Sequence, residues 1–179
     1  METITILDKQ FVPYLSTEEI QEKVALLAKQ FNEEYANKKP LFLSILNGSF
    51  LFTADLFKKL TIDAEVCFVK LASYKGVSST GNVITAIGLD TPLKDRHVIV
   101  LEDIIDTGKT LHHFLPQLQS LQVASLKIAV LLNKTEALSY PIKVDYACFE
   151  IPNKFVVGYG LDYDGFGRNY DAIYQLKEE

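Results

Sequence analysis

Three carboxylates and a phosphate-binding type of loop lie close together near the middle of the chain. Glu102, Asp103 and Asp106 are followed by Thr-Gly-Lys-Thr at 107–110. Hydroxyls, a Gly that lets a ligand approach the backbone, and N–H groups at a helix start favour phosphate binding. Carboxylates would repel a phosphate placed directly on them, but they suit sugar hydroxyls, a divalent cation or proton transfer. The combination indicates a phosphorylated sugar bound with a metal ion.

The elements on either side of this loop place it in a parallel α/β sheet. Residues 98–101 are four consecutive aliphatics, which predicts a strand buried on both faces. Apolar residues from Leu111 to Leu121 recur at helical spacing. In sheets built from such units, ligands bind where carboxyl ends of strands meet amino ends of helices.

Two simpler interpretations of the loop agree less well with its residues. Gly108-Lys109-Thr110 spells the end of a nucleoside-triphosphate P-loop, but that motif requires Gly five positions earlier, where this chain has Asp103. An ordinary turn whose acids only cap the helix would explain Asp106. It would not explain Glu102 and Asp103, which are expected at the end of a buried strand.

The run Val-Leu-Glu-Asp-Ile-Ile-Asp-Thr-Gly-Lys-Thr at 100–110 resembles the phosphoribosyl-pyrophosphate (PRPP) motif of the type I phosphoribosyltransferases. In detail it is similar to that of the hypoxanthine-guanine phosphoribosyltransferases. The resemblance implies that the 5′-phosphate is bound by Asp106, Thr107, Gly108, Lys109 and Thr110. It also implies that Glu102 and Asp103 bind the ribose, and Asp106 is the candidate general base.

Composition is that of an ordinary globular domain. The chain has 179 residues, of which 48% are hydrophobic and 23% charged, enough for one domain with a real core. A net charge of −5 argues against binding to a nucleic-acid backbone. No apolar run approaches the ~20 residues of a membrane span, and no signal peptide is visible. Two cysteines, Cys67 and Cys148, are expected as small buried residues in a reducing, cytoplasmic compartment.

The first third of the chain predicts a short strand at 3–7, a helix opened by a Ser16–Glu19 capping box, and a buried strand at 41–46. Asn47-Gly48-Ser49 then leads into a second helix at 50–60. The resemblance implies that Leu46, Asn47 and Gly48 form a pyrophosphate-binding loop with a cis peptide bond that does not involve proline. Many family members have a basic residue where this chain has Asn47, so backbone contacts are expected there.

A polar connection follows a third predicted strand at 65–71. Residues 73–82 are long for a loop in a compact domain and contain two Gly, which is typical of lids or of flexible hairpin tips. Ser73-Tyr74 followed by Ser-Thr-Gly resembles the mobile loop that closes over the family's active site. A return strand is expected at 83–89.

The last third contains a second group of candidate site residues. Lys134 follows an aliphatic strand predicted at 126–132, and a further strand is predicted at 144–150. Residues 151–163 resemble the family's purine-binding segment. The resemblance implies purine contacts by Ile104, Lys134, Phe155, Val156 and Asp162, and a pyrophosphate contact by Arg168.

The resemblance covers roughly residues 11–174 and implies a parallel sheet flanked by helices. We predict one domain over 1–179, with a core at roughly 36–150 and a small hood from the N-terminal residues and 151–179. The implied activity is Mg²⁺-dependent transfer of the phosphoribosyl group from PRPP to hypoxanthine or guanine, with Glu102, Asp103 and Asp162 at the metal.

The sequence does not exclude a preference for xanthine, because few polar atoms set the choice among 6-oxopurines. The other class of function is a PRPP-sensing regulator that acts on nucleic acid, and the acidic net charge disfavours it. The resemblance implies a homodimer or homotetramer, without deciding between them.

Overall fold

The computed structural model describes residues 2–74 and 83–178. The strands are β1 (Ile4–Ile6), β2 (Lys9–Leu15), β3 (Leu41–Leu46), β4 (Glu65–Tyr74), β5 (Val83–Ile87), β6 (His97–Ile105), β7 (Ser125–Asn133), β8 (Tyr146–Glu150), β9 (Val156–Val157) and β10 (Ile173–Leu176). The helices are α1 (Thr17–Glu34), α2 (Phe50–Phe57) and α3 (Lys109–Ser120), with a 3₁₀ turn at Thr135–Ala137.

A six-stranded sheet forms the larger part of the molecule, in the order β5-β4-β3-β6-β7-β8. Neighbouring strands are parallel except β5, which returns antiparallel to β4. Helices α1 and α2 pack on one face of this sheet and α3 on the other, and each face has its own apolar cluster. The predicted parallel sheet flanked by helices is therefore confirmed.

The central strand β6 is longer than its aliphatic run predicted. Glu102 and Ile104 pair with Val130 and Leu132 of β7, so the ladder continues through the first two carboxylates. The aliphatic run at 98–101 covers only part of β6, because such a run marks the part of a strand that is buried on both faces. Glu102 and Asp103 were expected at the end of the strand, and β6 continues two residues beyond them.

The first helix begins as its capping box predicted. The backbone N–H of Ser16 donates to Glu19 Oε2 at 2.8 Å, and the N–H of Glu19 donates to Ser16 Oγ at 3.2 Å. The apolar stripe of α1, Ile20, Val24, Leu27 and Phe31, is buried against the sheet. Helix α1 packs beside α2 and next to β8, and Phe31 contacts Phe42 of β3 and Tyr146 of β8 edge-on.

A second, four-stranded antiparallel sheet is built from both ends of the chain, in the order β1-β2-β10-β9. Its own apolar cluster includes Phe11 and Tyr174. Strand β2 was not predicted. Pro13 in it cannot donate to a ladder, and it lies opposite Tyr174 beside a register shift in β10.

Both cysteines are free and buried. Within the described ranges, no helix is long and apolar enough to cross a membrane.

Candidate active site

The loop between β6 and α3 lies at the carboxyl edge of the parallel sheet. Gly108 precedes the first residue of α3 and has a left-handed φ of +77°. Gly108 has no side chain to cap the helix, and the N–H of Lys109 makes only a long bond of 3.4 Å to Thr107 Oγ1. N–H groups of the first turn are therefore available to a ligand. Residues 102 and 104–111 line a small cavity of about 120 Å³. All five residues predicted to bind the 5′-phosphate line it.

Residues 138–142, which we call the strap, pack against this loop on the side away from the cavity. The backbone N–H groups of Ser139 and Tyr140 both donate to the carbonyl of Thr107, each at 3.1 Å. A methyl group added at Gly108 would lie 3.0 Å from Ile142 Cγ1 and 3.2 Å from the Tyr140 carbonyl. A side chain at Gly108 would therefore require the strap to shift by a few tenths of an ångström, and the two hydrogen bonds fix the direction of the Thr107 peptide group.

The two acids at the end of β6 are held in an unfavourable environment for negative charge. Burial, followed by the charge of Asp103, raises the pKa of Glu102 well above its usual range. Burial also raises the pKa of Asp103 to about 6, although nearby N–H groups and Arg168 oppose that rise. Among residues 2–74 and 83–178, Glu102 Oε2 is buried without a hydrogen-bond partner. An unpaired buried carboxylate oxygen suits a ligand hydroxyl or a cation.

Replacement of Asp103 with Asn is expected to stabilise the free protein near neutral pH. The folded-state pKa of about 6 exceeds the reference value of 3.8, so folding holds a proton that the unfolded chain releases between those pH values. Wild-type stability from this group therefore falls as pH rises through that window, by about 1–3 kcal/mol.

Thermal unfolding at pH 4 and pH 8 measures this effect. The variant is expected to lose less stability than the wild type between the two pH values. Glu22→Gln, on the exposed side of α1, is the control and is expected to behave like the wild type. Equal losses of stability between pH 4 and pH 8 in the wild type and Asp103→Asn would contradict the raised pKa of Asp103.

Lys134 is buried and turned toward the loop. Its Nζ donates to Asp106 Oδ2 at 2.9 Å, and Asn153 Oδ1 lies 3.5 Å away. Only 6% of the Lys134 side chain is exposed, whereas 52% of that of Asp106 is. Lys134 is therefore not a solvated surface lysine, the commonest state of this residue type. A donor-only ammonium is placed between the phosphate loop and the segment after β8.

The predicted purine-binding segment presents one open aromatic face. Phe155 is 46% exposed, which excludes a core aromatic. Its ring centroid lies 6.3 Å from that of Phe11 and 6.0 Å from that of Tyr163. Val156 follows in β9 and is buried, and Ile104 is half-buried at the end of β6.

The residues assigned to pyrophosphate and metal meet around Gly48. The Leu46–Asn47 peptide bond is cis, as the resemblance implied. A methyl group at Gly48 would overlap the carboxylate of Asp103, so this loop rests directly on the acid. Arg168 Nη2 pairs with Asp162 Oδ1 at 2.7 Å, and both charges act on Asp103. The structure thus brings together Gly48, Asp103, Asp162 and Arg168.

Metal ligation by protein side chains alone is not supported. Within the described residues, no three His, Cys, Asp or Glu side chains converge as a set that could hold an ion. The oxygen donors that are present, including the unpartnered Glu102 Oε2, fit Mg²⁺ when a substrate supplies further oxygens.

The lid prediction lies mostly outside the described residues. Ser73 and Tyr74 are the last residues of β4 and pair with Ile84 and Val83 of β5. The predicted return strand is thereby confirmed. Residues 75–82, which would form the lid itself, are not among those described.

Several contacts of the site carry no local signal in the sequence. Phe11 lies beside Phe155, and Tyr159 bonds to Asp55 on α2 at 2.7 Å. The two residues of each pair lie far apart in the chain. Tyr163, the other aromatic neighbour of Phe155, falls within the segment 151–163 that the resemblance assigned to the purine.

A loop of phosphate-binding type, two partly buried acids and an exposed aromatic ring are features expected of a protein that binds a phosphorylated sugar joined to a flat base. The sequence model of one protein family, the phosphoribosyl transferase domain, matches residues 14–164. The chain belongs to this family, and its relatives place it in the hypoxanthine-guanine phosphoribosyltransferase branch.

Two relatives of that name and one solved structure illustrate the similarity. The hypoxanthine-guanine phosphoribosyltransferase of Lactococcus lactis is 43% identical over 97% of this chain and 95% of its own length. That of Streptococcus pneumoniae is 43% identical over 92% of both chains. A crystal structure of a hypoxanthine phosphoribosyltransferase from Staphylococcus aureus has a TM-score of 0.85 and 35% identity, covering 92% of this chain and 90% of the other.

Proposed function

We propose that this protein transfers the 5-phosphoribosyl group from PRPP to N9 of hypoxanthine or guanine, giving IMP or GMP and pyrophosphate in purine salvage. The observation that carries this proposal is the placement of Lys134, whose Nζ lies 2.9 Å from Asp106. An ammonium group has three N–H donors and no acceptor, so it favours a 6-oxo over a 6-amino purine. It stands beside the loop that would hold the sugar phosphate.

The sugar is held before the reaction by groups that do not need to rearrange. N–H groups and hydroxyls of residues 107–110 bind the 5′-phosphate, and Glu102 and Asp103 hold the ribose hydroxyls or the waters of the metal. Because these donors are fixed in place, binding of the substrate also orients C1′ of the ribose for attack. The Leu46, Asn47 and Gly48 loop and Arg168 bind the pyrophosphate.

Glu102, Asp103 and Asp162 are the residues that would hold Mg²⁺. When bound, the ion supplies positive charge that neutralises the pyrophosphate leaving group.

Five residues hold the base. Phe155 stacks on the ring, a contact worth about 1–3 kcal/mol per base in single-strand binders. Lys134 donates to the 6-oxo oxygen, and Val156 and Ile104 border the base edge. Asp162 accepts from the exocyclic amine of guanine. The four-stranded sheet would form the hood over the base.

The bond from N9 to C1′ forms as the bond from C1′ to the pyrophosphate oxygen breaks. The electron pair of the broken bond leaves with pyrophosphate, and the ribose passes through a cation-like state. Asp106 accepts the N7 proton of the purine as N9 attacks. Its half-exposed carboxylate pairs with Lys134, the residue assigned to the 6-oxo oxygen, which lies next to N7 on the purine.

Turnover of purified protein with PRPP and Mg²⁺ tests this function, with hypoxanthine, guanine, xanthine and adenine compared. Product with hypoxanthine and guanine is expected, and xanthine decides the open question of base preference. Product with adenine alone would refute the role of Lys134. Nucleic-acid binding at moderate salt without turnover of hypoxanthine would favour a PRPP-sensing regulator instead. Gel filtration of the same sample measures the homodimer or homotetramer that we infer for a cytoplasmic enzyme of this family.

Gly108→Ala is expected to raise the KM for PRPP about tenfold, because the left-handed backbone disfavours Ala by about 1–2 kcal/mol and its methyl group presses on the strap. Gly165→Ala is the matched control, since Gly165 has a φ of +87° and nothing lies within 4 Å of an added methyl group. The control is expected to lose some stability but keep the KM for PRPP. Equal KM values in the two variants would contradict the strap's role.

A further inference from the structure

Tyr159 is a buried residue that the assigned substrate contacts do not use. Its hydroxyl donates to Asp55 Oδ2 at 2.7 Å. The same carboxylate accepts from Gln21 Nε2 at 2.5 Å and pairs with Lys58 Nζ at 2.5 Å. Because Gln21 belongs to α1 and Asp55 to α2, the hydroxyl ties the segment after β9 to both helices on one face of the sheet.

This bond is formed with an ionised partner. Burial raises the pKa of Asp55, but the hydrogen bonds from Lys58, Tyr159 and Gln21 outweigh it and leave the pKa below its usual value. Burial also raises the pKa of Tyr159, and the bond to Asp55 adds to that rise. A hydrogen bond from a neutral hydroxyl to a carboxylate is stronger than one between neutral groups.

The backbone around Tyr159 requires such an anchor. Tyr159 has a left-handed φ of +48° and lies between Gly158 and Gly160, whose φ values are +97° and +99°. A Tyr seldom adopts this conformation, and it persists only when surrounding contacts hold it. The hydroxyl bond to Asp55 and a backbone bond from the Tyr159 N–H to the Tyr170 carbonyl at 2.8 Å supply those contacts.

The anchored segment presses on the loop assigned to pyrophosphate. A methyl group at Gly160 would overlap the carbonyl oxygen of Gly48, and one at Gly48 would overlap Asp103. Arg168 Nη1 also donates to the Gly160 carbonyl at 2.7 Å. Gly160 therefore touches the loop on one side and holds the arginine on the other, and a shift of Gly160 would move both.

We propose that Tyr159 is a positioning residue for the pyrophosphate end of the site. Its hydroxyl bond to Asp55 sets the place of Gly160, and through Gly160 the places of Gly48 and Arg168. Tyr159 touches no substrate in this arrangement. The inference rests on the proposed function, because it takes the Gly48 loop and Arg168 as the groups that bind pyrophosphate.

The test compares Tyr159→Phe with Tyr146→Phe. Tyr146 is the matched control, because it is also a buried tyrosine whose hydroxyl donates to a carboxylate, Glu34 Oε2, at 2.6 Å. It packs on Phe31 in the core and, among the described residues, donates to Glu34 and not to any residue assigned to the site. Both variants lose the same kind of bond, so both are expected to melt at a lower temperature than the wild type.

Only Tyr159→Phe is expected to change substrate kinetics. The KM for pyrophosphate in the reverse reaction with IMP, and that for PRPP in the forward reaction, should rise about tenfold, equivalent to one hydrogen bond to a charged group. The KM for hypoxanthine and kcat should change little. Asp55→Ala, which removes the acceptor and leaves Tyr159 intact, should give the same pattern and serves as the second variant if Tyr159→Phe folds poorly.

The outcomes separate this inference from the function on which it rests. Failure of the wild type to turn over hypoxanthine would refute the proposed function and the inference with it. Normal wild-type turnover, with pyrophosphate and PRPP KM values in Tyr159→Phe and Asp55→Ala equal to those in Tyr146→Phe, would refute the positioning role alone.

Discussion

Asp106→Asn is expected to lower kcat by roughly 10²–10⁴, the usual contribution of a positioned acid or base. The amide keeps the size of the carboxylate and can still accept a hydrogen bond from Lys134, so the loop should hold its shape. It cannot accept the N7 proton of the purine. The KM for PRPP should change little, because the phosphate is held by the N–H groups and hydroxyls of residues 107–110.

Asp145→Asn is the matched control for this measurement. Asp145 also accepts from a lysine, Lys127 Nζ, at 2.9 Å, but it precedes β8 at the opposite end of the sheet from the loop. Its replacement should cost stability and leave kcat unchanged. Steady-state kinetics with saturating PRPP and hypoxanthine decide the matter, and near-normal turnover by Asp106→Asn would remove Asp106 from the role of base.

Lys134→Met should produce the second large effect, a fall of about 10- to 150-fold in kcat/KM for hypoxanthine. That range corresponds to the loss of one charged hydrogen bond, about 1.5–3 kcal/mol. Met fills nearly the same space as Lys but cannot donate to the 6-oxo oxygen. The change also leaves Asp106 without its partner at 2.9 Å, so part of the fall should appear in kcat.

Lys127→Met provides the comparison, because Lys127 lies on the same strand as the residues leading to Lys134 and pairs with Asp145 at an equal distance of 2.9 Å. Turnover of hypoxanthine should be unaffected in that variant. The two variants are compared at several hypoxanthine concentrations with PRPP saturating. The same kcat/KM in both would show that Lys134 does not contact the base.

The larger sheet and the β6–α3 loop were predictable because their signals are local. Buried parallel strands appear as aliphatic runs, as at 41–46 and 98–101. The start of the first helix is predicted by its Ser16–Glu19 capping box. The polar residues that follow such strands fall at one edge of the sheet by topology alone. For this reason the sequence places Asp106, Gly108 and Lys134 at the same edge of the sheet, although it does not predict the bond between Asp106 and Lys134.

The remaining features depend on partners distant in the chain. Strand β2 carries Pro13 and pairs with β10 across most of the sequence, so its periodicity is weak and its ladder is interrupted. The Tyr159–Asp55 bond spans 104 positions, and a tyrosine gives no sign in the sequence of where its hydroxyl will bond. The Lys134–Asp106 pair likewise joins two residues that the sequence assigned separately, one to the base and one to the catalytic proton.

A structure of the protein with bound IMP tests the division of the site most directly. We expect phosphate oxygens at hydrogen-bonding distance from the N–H groups of residues 107–110. We also expect the 6-oxo oxygen at hydrogen-bonding distance from Lys134 Nζ, with the purine ring on the exposed face of Phe155. IMP bound with its phosphate away from residues 107–110, or with its base turned away from Lys134, would contradict this division of the site.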